Sequence, residues 1–216
     1  MATSKPNFLL PIVSKMYCSS SQVVFVVRRR PQAVGGGGFV VTDCSQRVVF
    51  QVDGCGILGK KGELILRDGD GDNILLIRQL KGGLVQALNI YKYKKWKGYY
   101  DYEGFQKSVF SIKEPNQNSC IPTSNNPVRI SIEPKLNNGQ VRDWNFEVKG
   151  YFPDKNCSIV DSLGNIIAQV GVKEEIEKVM TSKDLYHVVV QPGIDQAFVF
   201  GVIAVLDYIY HESTRC

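Results

Sequence analysis

Histidine is almost missing from this chain: His187 and His211 are the only two in 216 residues, which removes the commonest general base and metal ligand from most of the molecule. No histidine–cysteine group has the spacing of a zinc site, and no Gly-x-Ser-x-Gly elbow occurs. The four glycines Gly35–Gly38 lack the Gly-Lys-Ser/Thr ending of a phosphate loop and read as a connector. The chain is therefore expected to be no enzyme, with no catalytic residue, no metal ligand and no cofactor, and His187 reads as a strand-face residue. Cysteine is sparse in pattern as well. Cys18, Cys44, Cys55, Cys120, Cys157 and Cys216 are scattered, with no Cys-x-x-Cys pair, and read as reduced intracellular thiols.

Long apolar runs are missing too. The longest, Ala197 to Leu206, has ten residues and would rise roughly 15 Å as a helix against roughly 30 Å of bilayer hydrocarbon, so no transmembrane span is expected. Phe8–Val13 is too short for a secretory core, position 2 is alanine rather than the glycine that myristoylation needs, and Asn156-Cys157-Ser158 reads as an accidental sequon. A net charge of +5 is modest, so nucleic-acid binding is not expected and an anionic partner is compatible. These features place the protein in the cytoplasm, with peripheral-membrane and nuclear positions as the other expected sites.

What is present is strand pattern. Residues 1–21 read as a flexible tail, and residues 22–216 as one domain. Strands are expected at 23–27, 39–43, 47–52, 63–67, 73–80, 84–93, 105–113, 128–133, 145–149, 157–161, 166–172 and 185–191, separated by Gly, Asp, Asn and Pro turns. Residues 174–180 read as a helical turn or loop. With no alternating helices, this pattern predicts a closed antiparallel β-barrel of about twelve strands, a mainly β fold. Such a barrel is too wide for its own side chains to fill.

The filler is the apolar run. Pro192-Gly193 leads into a helix expected over 194–211, in which Phe198, Val199, Phe200, Val202, Ile203, Val205 and Leu206 cover the whole circumference and form a plug. Burying these seven side chains contributes on the order of 10–20 kcal/mol as an upper estimate. Gly201 costs a helix about 1 kcal/mol, so it is expected where a strand backbone comes close.

Several segments carry a family resemblance. Phe146-Glu147-Val148-Lys149-Gly150, Cys157-Ser158-Ile159-Val160-Asp161 with Gly164-Asn165-Ile166-Ile167-Ala168, and Val188-Val189-Val190-Gln191-Pro192-Gly193-Ile194-Asp195-Gln196-Ala197 ahead of Val205-Leu206-Asp207 resemble the LURP-one-related family of plant proteins. The resemblance covers about residues 17–212. It implies a tubby-like barrel around a central helix, kinship with phospholipid scramblases, and proposed roles in membrane tethering and plant defence. It implies no enzymatic activity. After Arg78 the chain departs from the family pattern across residues 79–89.

The remaining candidates are basic or acidic clusters. Lys92, Lys94, Lys95, Trp96 and Lys97 form the densest basic and aromatic group, suited to phosphoinositide headgroups, against the plain alternative of a solvated loop. Arg28, Arg29 and Arg30 form a second basic patch, with a solvent-facing strand edge as the alternative. Asp68-Gly69-Asp70-Gly71-Asp72 opens like a calcium loop, but positions 73 and 79 are Asn and Gln, so a hairpin turn is expected. The function this supports is a monomeric, non-enzymatic module binding anionic membrane lipids peripherally or a regulatory protein. The alternatives are a membrane-tethered nuclear adaptor and scramblase-like lipid transport.

Overall fold

The computed structural model describes residues 11–31, 37–54, 61–81, 94–102, 105–113, 127–133, 144–171, 184–210 and 213–214. Twelve strands alternate apolar and polar residues so that one face of each turns inward. They are β1 (Val23–Arg29), β2 (Gly38–Thr42), β3 (Val48–Asp53), β4 (Glu63–Asp68), β5 (Asn73–Lys81), β6 (Lys94–Tyr102), β7 (Phe105–Lys113), β8 (Val128–Ile132), β9 (Phe146–Tyr151), β10 (Asn156–Asp161), β11 (Ile166–Gly171) and β12 (Leu185–Val190). Each pairs antiparallel with its sequence neighbours, and β1 pairs with β12, closing the barrel.

The axis is occupied by helix α1, Gln196–Ile209. This is two residues shorter at each end than the expected 194–211. Every residue from Ala197 to Ile209 is buried. Its aromatics interlock with those of the wall. Phe198 lies between Phe110 and Phe146, with centroids at 5.6 and 5.1 Å, Phe200 lies between Phe25 and Phe50 at 5.2 and 5.3 Å, and Tyr208 meets the edge of Trp96 at 4.7 Å. Such pairs contribute about 0.5–1.5 kcal/mol beyond the area they bury. At Gly201 the close neighbours are side chains rather than the expected strand backbone. A methyl group there would lie 3.1 Å from Leu75 Cδ1 and 3.3 Å from Phe110 Cζ.

Three hairpins use one turn. Asp43, Asp68 and Asp161 each stand at the end of the first strand, and each accepts the N–H groups of the residues two and four positions on. These are Ser45 and Arg47, Asp70 and Asp72, and Leu163 and Asn165. The residue three positions on is left-handed each time: Gln46 at φ 62°, Gly71 at 94° and Gly164 at 91°. A register shift falls just before each aspartate. The acidic run 68–72 is thus one of three copies of an aspartate-closed turn, in which the Asp68 carboxylate is used by the backbone.

The expected strand at 84–93 and the expected helical turn or loop at 174–180 lie outside the described residues. β6, a strand that the pattern did not predict, occupies 94–102 and takes in Lys94 to Lys97 of the expected basic cluster. Lys and Gly are poor strand formers, yet Trp96 and Gly98 turn inward between outward Lys95, Lys97 and Tyr99. Gly98 pairs with Phe110 of β7, and a methyl group there would clash with that ring. Part of the expected 1–21 tail is packed against the barrel. Residues 11–21 cross the barrel end at which α1 begins, with Ile12, Val13 and Tyr17 against the core and Asp195 Oδ2 accepting Val13 N at 2.7 Å and Ser14 N at 3.0 Å.

Candidate anion-binding face

Strand alternation sorts the basic residues by side of the wall. Of the expected cluster, Lys92 lies outside the described residues and Lys94 is the first residue of β6. Trp96 is fully buried against Tyr208, so it belongs to the core and not to a surface site. Lys95 and Lys97 point outward, where both meet Glu133 at 3.4 and 3.0 Å.

The arginine triplet is divided in the same way. Arg28 is exposed, whereas Arg29 turns into the barrel end and pairs with Asp207 of α1 at 3.4 Å and with Asp184 at 3.8 Å. Arg30 donates to Val52 O at 2.7 Å and to Asp53 at 2.8 Å. Neither is a free surface charge. The edge reading is also overturned, because a closed barrel leaves β1 no open edge.

Two cross-strand rows remain on the outer surface of β4–β9. One runs Glu63–Arg78–Lys97–Ser111–Ser131, and the other Leu80–Lys95–Lys113–Arg129–Glu147. Rows two residues apart are separated by roughly 7 Å. Arg78 therefore faces Lys97 directly, and Lys113 faces both Lys95 and Arg129. Like charges directly opposite destabilise a sheet. Three such pairs lie on the four adjacent strands β5 to β8.

Carboxylates moderate the rows without cancelling them. Glu63 receives Arg78 Nε at 2.9 Å, and Glu147 lies 3.7 Å from Arg129. Burial acts to raise the pKa of Glu133, but hydrogen bonds from Ser108, Lys97 and Ser111 outweigh it and bring the carboxyl down to about 2. It is ionised throughout the physiological range and positions Lys95 and Lys97. Lys113 is exposed and forms no ion pair among the described residues.

Sequence reasoning grouped Lys95 and Lys97 because they are near neighbours in the chain. It did not join Arg78, Lys113 and Arg129 to them because cross-strand neighbours are far apart in sequence. The alternation Ser111-Ile112-Lys113 and Val128-Arg129-Ile130 gave their outward direction, but not their register. His187 lies on the outward side of β12.

Comparison with known proteins now adds to this geometry. The family model described as LURP-one-related matches residues 23–207. Arabidopsis thaliana Protein LURP-one-related 6 is 57% identical over 206 residues, covering 95% of this chain and 98% of that protein. Arabidopsis thaliana Protein LURP-one-related 16 is 49% identical over 211 residues, covering 95% of each. An X-ray structure of an Arabidopsis thaliana protein superposes with a TM-score of 0.61 at 18% identity, covering 92% of this chain and 98% of the other. That last likeness concerns the fold alone.

Proposed function

The chain belongs to the LURP-one-related family, and from its outer surface we propose that it is a non-enzymatic module that binds phosphoinositide-bearing membranes through the β5–β8 face. The observation that carries this reading is the direct opposition of Arg78 with Lys97 and of Lys113 with Lys95 and Arg129. An anionic headgroup set across these rows relieves the repulsion that the bare sheet carries. Because α1 fills the axis, recognition falls to the outside of the wall. Leu76, Leu80 and Tyr99 flank the cations on the same surface, and Leu80 is exposed. Such a module tethers its own chain, or a protein bound to it, to anionic membrane, and a part in defence responses rests on the family resemblance.

Vesicle co-sedimentation tests this. Each surface lysine near an anionic bilayer contributes about 1 kcal/mol, so the double substitution Lys97→Gln/Lys113→Gln weakens binding about thirtyfold. Binding that is equally tight in the double variant and insensitive to salt sinks the reading.

A further inference from the structure

The three aspartate-closed turns have one backbone and three different tips. At the position two beyond the aspartate stand Ser45, Asp70 and Leu163. The turn geometry asks nothing apolar of this position, since the other two copies are polar. Yet Leu163 is 77% exposed, and Ile166, just beyond the same turn, is 48% exposed. The tip is also held firmly, because Asp161 accepts Leu163 N at 2.9 Å, Asn165 N at 2.8 Å and Asn165 Nδ2 at 2.9 Å. One rigid turn thus presents two large apolar side chains, Leu163 and Ile166, to solvent.

Beside this tip lies a groove of about 500 Å³, lined among others by Arg129, Trp144, Lys149 and Ser162. The Arg129 guanidinium lies over the Trp144 ring, 5.6 Å from its centroid. Of the groove's two carboxylates, Glu147 pairs with Arg129 and Asp161 is consumed by the turn, while Lys149 is exposed. Arg129 also stands directly opposite Lys113, so the groove continues the cationic rows around the barrel. An apolar turn tip, the Trp144 indole and the cations Arg129 and Lys149 thus line one groove, and these three chemistries are the ones that a lipid monolayer engages from acyl boundary to phosphate.

We propose that the β10–β11 turn is a membrane wedge: Leu163 enters the acyl boundary of an anionic bilayer while Trp144 sits at headgroup level and Arg129 and Lys149 meet lipid phosphates. This rests on the membrane reading above and adds to it an insertion element. The chain has two tryptophans, and Trp96 is sealed in the core, so quenching from the bilayer reports on Trp144.

The full chain is titrated with phosphatidylcholine vesicles that contain a phosphorylated phosphatidylinositol and brominated acyl chains. Tryptophan emission falls on binding, and Trp144→Phe removes that fall. Leu163→Ser, which places in this turn the residue that Ser45 supplies in the first, keeps the folded spectrum and lowers vesicle affinity about tenfold. Vesicle binding without quenching of Trp144, or with unchanged affinity in Leu163→Ser, overturns the wedge and leaves the cationic rows standing. No vesicle binding by the unaltered chain overturns both.

Discussion

Charges on the two sides of the barrel wall are handled in opposite ways. Among the described residues, the buried charges inside and at the barrel ends are met by an opposite charge, by polar hydrogens or by aromatic rings. Asp195 caps α1 by accepting Phe198 N at 3.1 Å, where the helix terminus favours negative charge, and Asp207 is matched by Arg29, Ser213 Oγ at 3.0 Å and Thr214 N at 2.6 Å. Burial raises the Asp195 pKa, opposed by the N–H groups of Val13, Phe198 and Ser14. Buried Lys155 rests its ammonium over the Phe152 ring at 4.1 Å and the Tyr186 ring at 5.0 Å. Outside, cations are set against cations, and Glu63, Glu133 and Glu147 offset that opposition only in part. The difference separates charges that hold the fold from charges that the fold carries at a cost.

Arg29→Met breaks the interior half of this contrast and has the largest effect. It leaves Asp207 buried without its cation, which costs about 3–5 kcal/mol, and Arg29→Met/Asp207→Leu recovers most of the loss. Denaturant unfolding reads both, and a single variant within about 1 kcal/mol of the parent removes Arg29 from the interior set.

Glu133→Gln sharpens the boundary, since Glu133 is the carboxylate on which the outer lysines converge. The loss is about 1–2 kcal/mol at neutral pH. The folded pKa of about 2 lies below the unfolded value of about 4.3, so this stabilisation is present above the unfolded pKa and disappears as pH falls towards 2. The parent and the variant therefore converge in stability across that window. A gap that stays constant down to pH 2 contradicts the ion-pair account.

Lys113→Ser gives the smallest change in stability and the most telling sign. Removing the cation that faces both Lys95 and Arg129 raises stability by about 0.2–1 kcal/mol while weakening vesicle binding. A loss of stability in this variant makes Lys113 a structural residue and ends the contrast.

Much of the fold was legible because periodicity is local. The run from Ala197 to Leu206 has no polar face, and that alone required a surrounding wall. The Asp-Gly-Asp-Gly-Asp segment read as a hairpin because its spacing fails a calcium loop. The arginine triplet was misleading for the same reason that it was visible, since three adjacent residues of a strand do not share one environment. Trp96 was grouped with its lysine neighbours although alternation sends it to the other face. Residues 11–21 lack periodicity, and nothing local announces that their amides meet Asp195.

The amino-acid order by itself determined which positions are apolar, where strands turn and that a wholly greasy helix needs enclosure, because these depend on neighbours within a few residues. Closure of β1 onto β12, the register that sets Lys113 between Lys95 and Arg129, and the inward turn of Arg29 towards Asp207 were decided only in three dimensions. Each depends on pairing between segments far apart in the chain, where a shift of one residue sends every side chain to the opposite face.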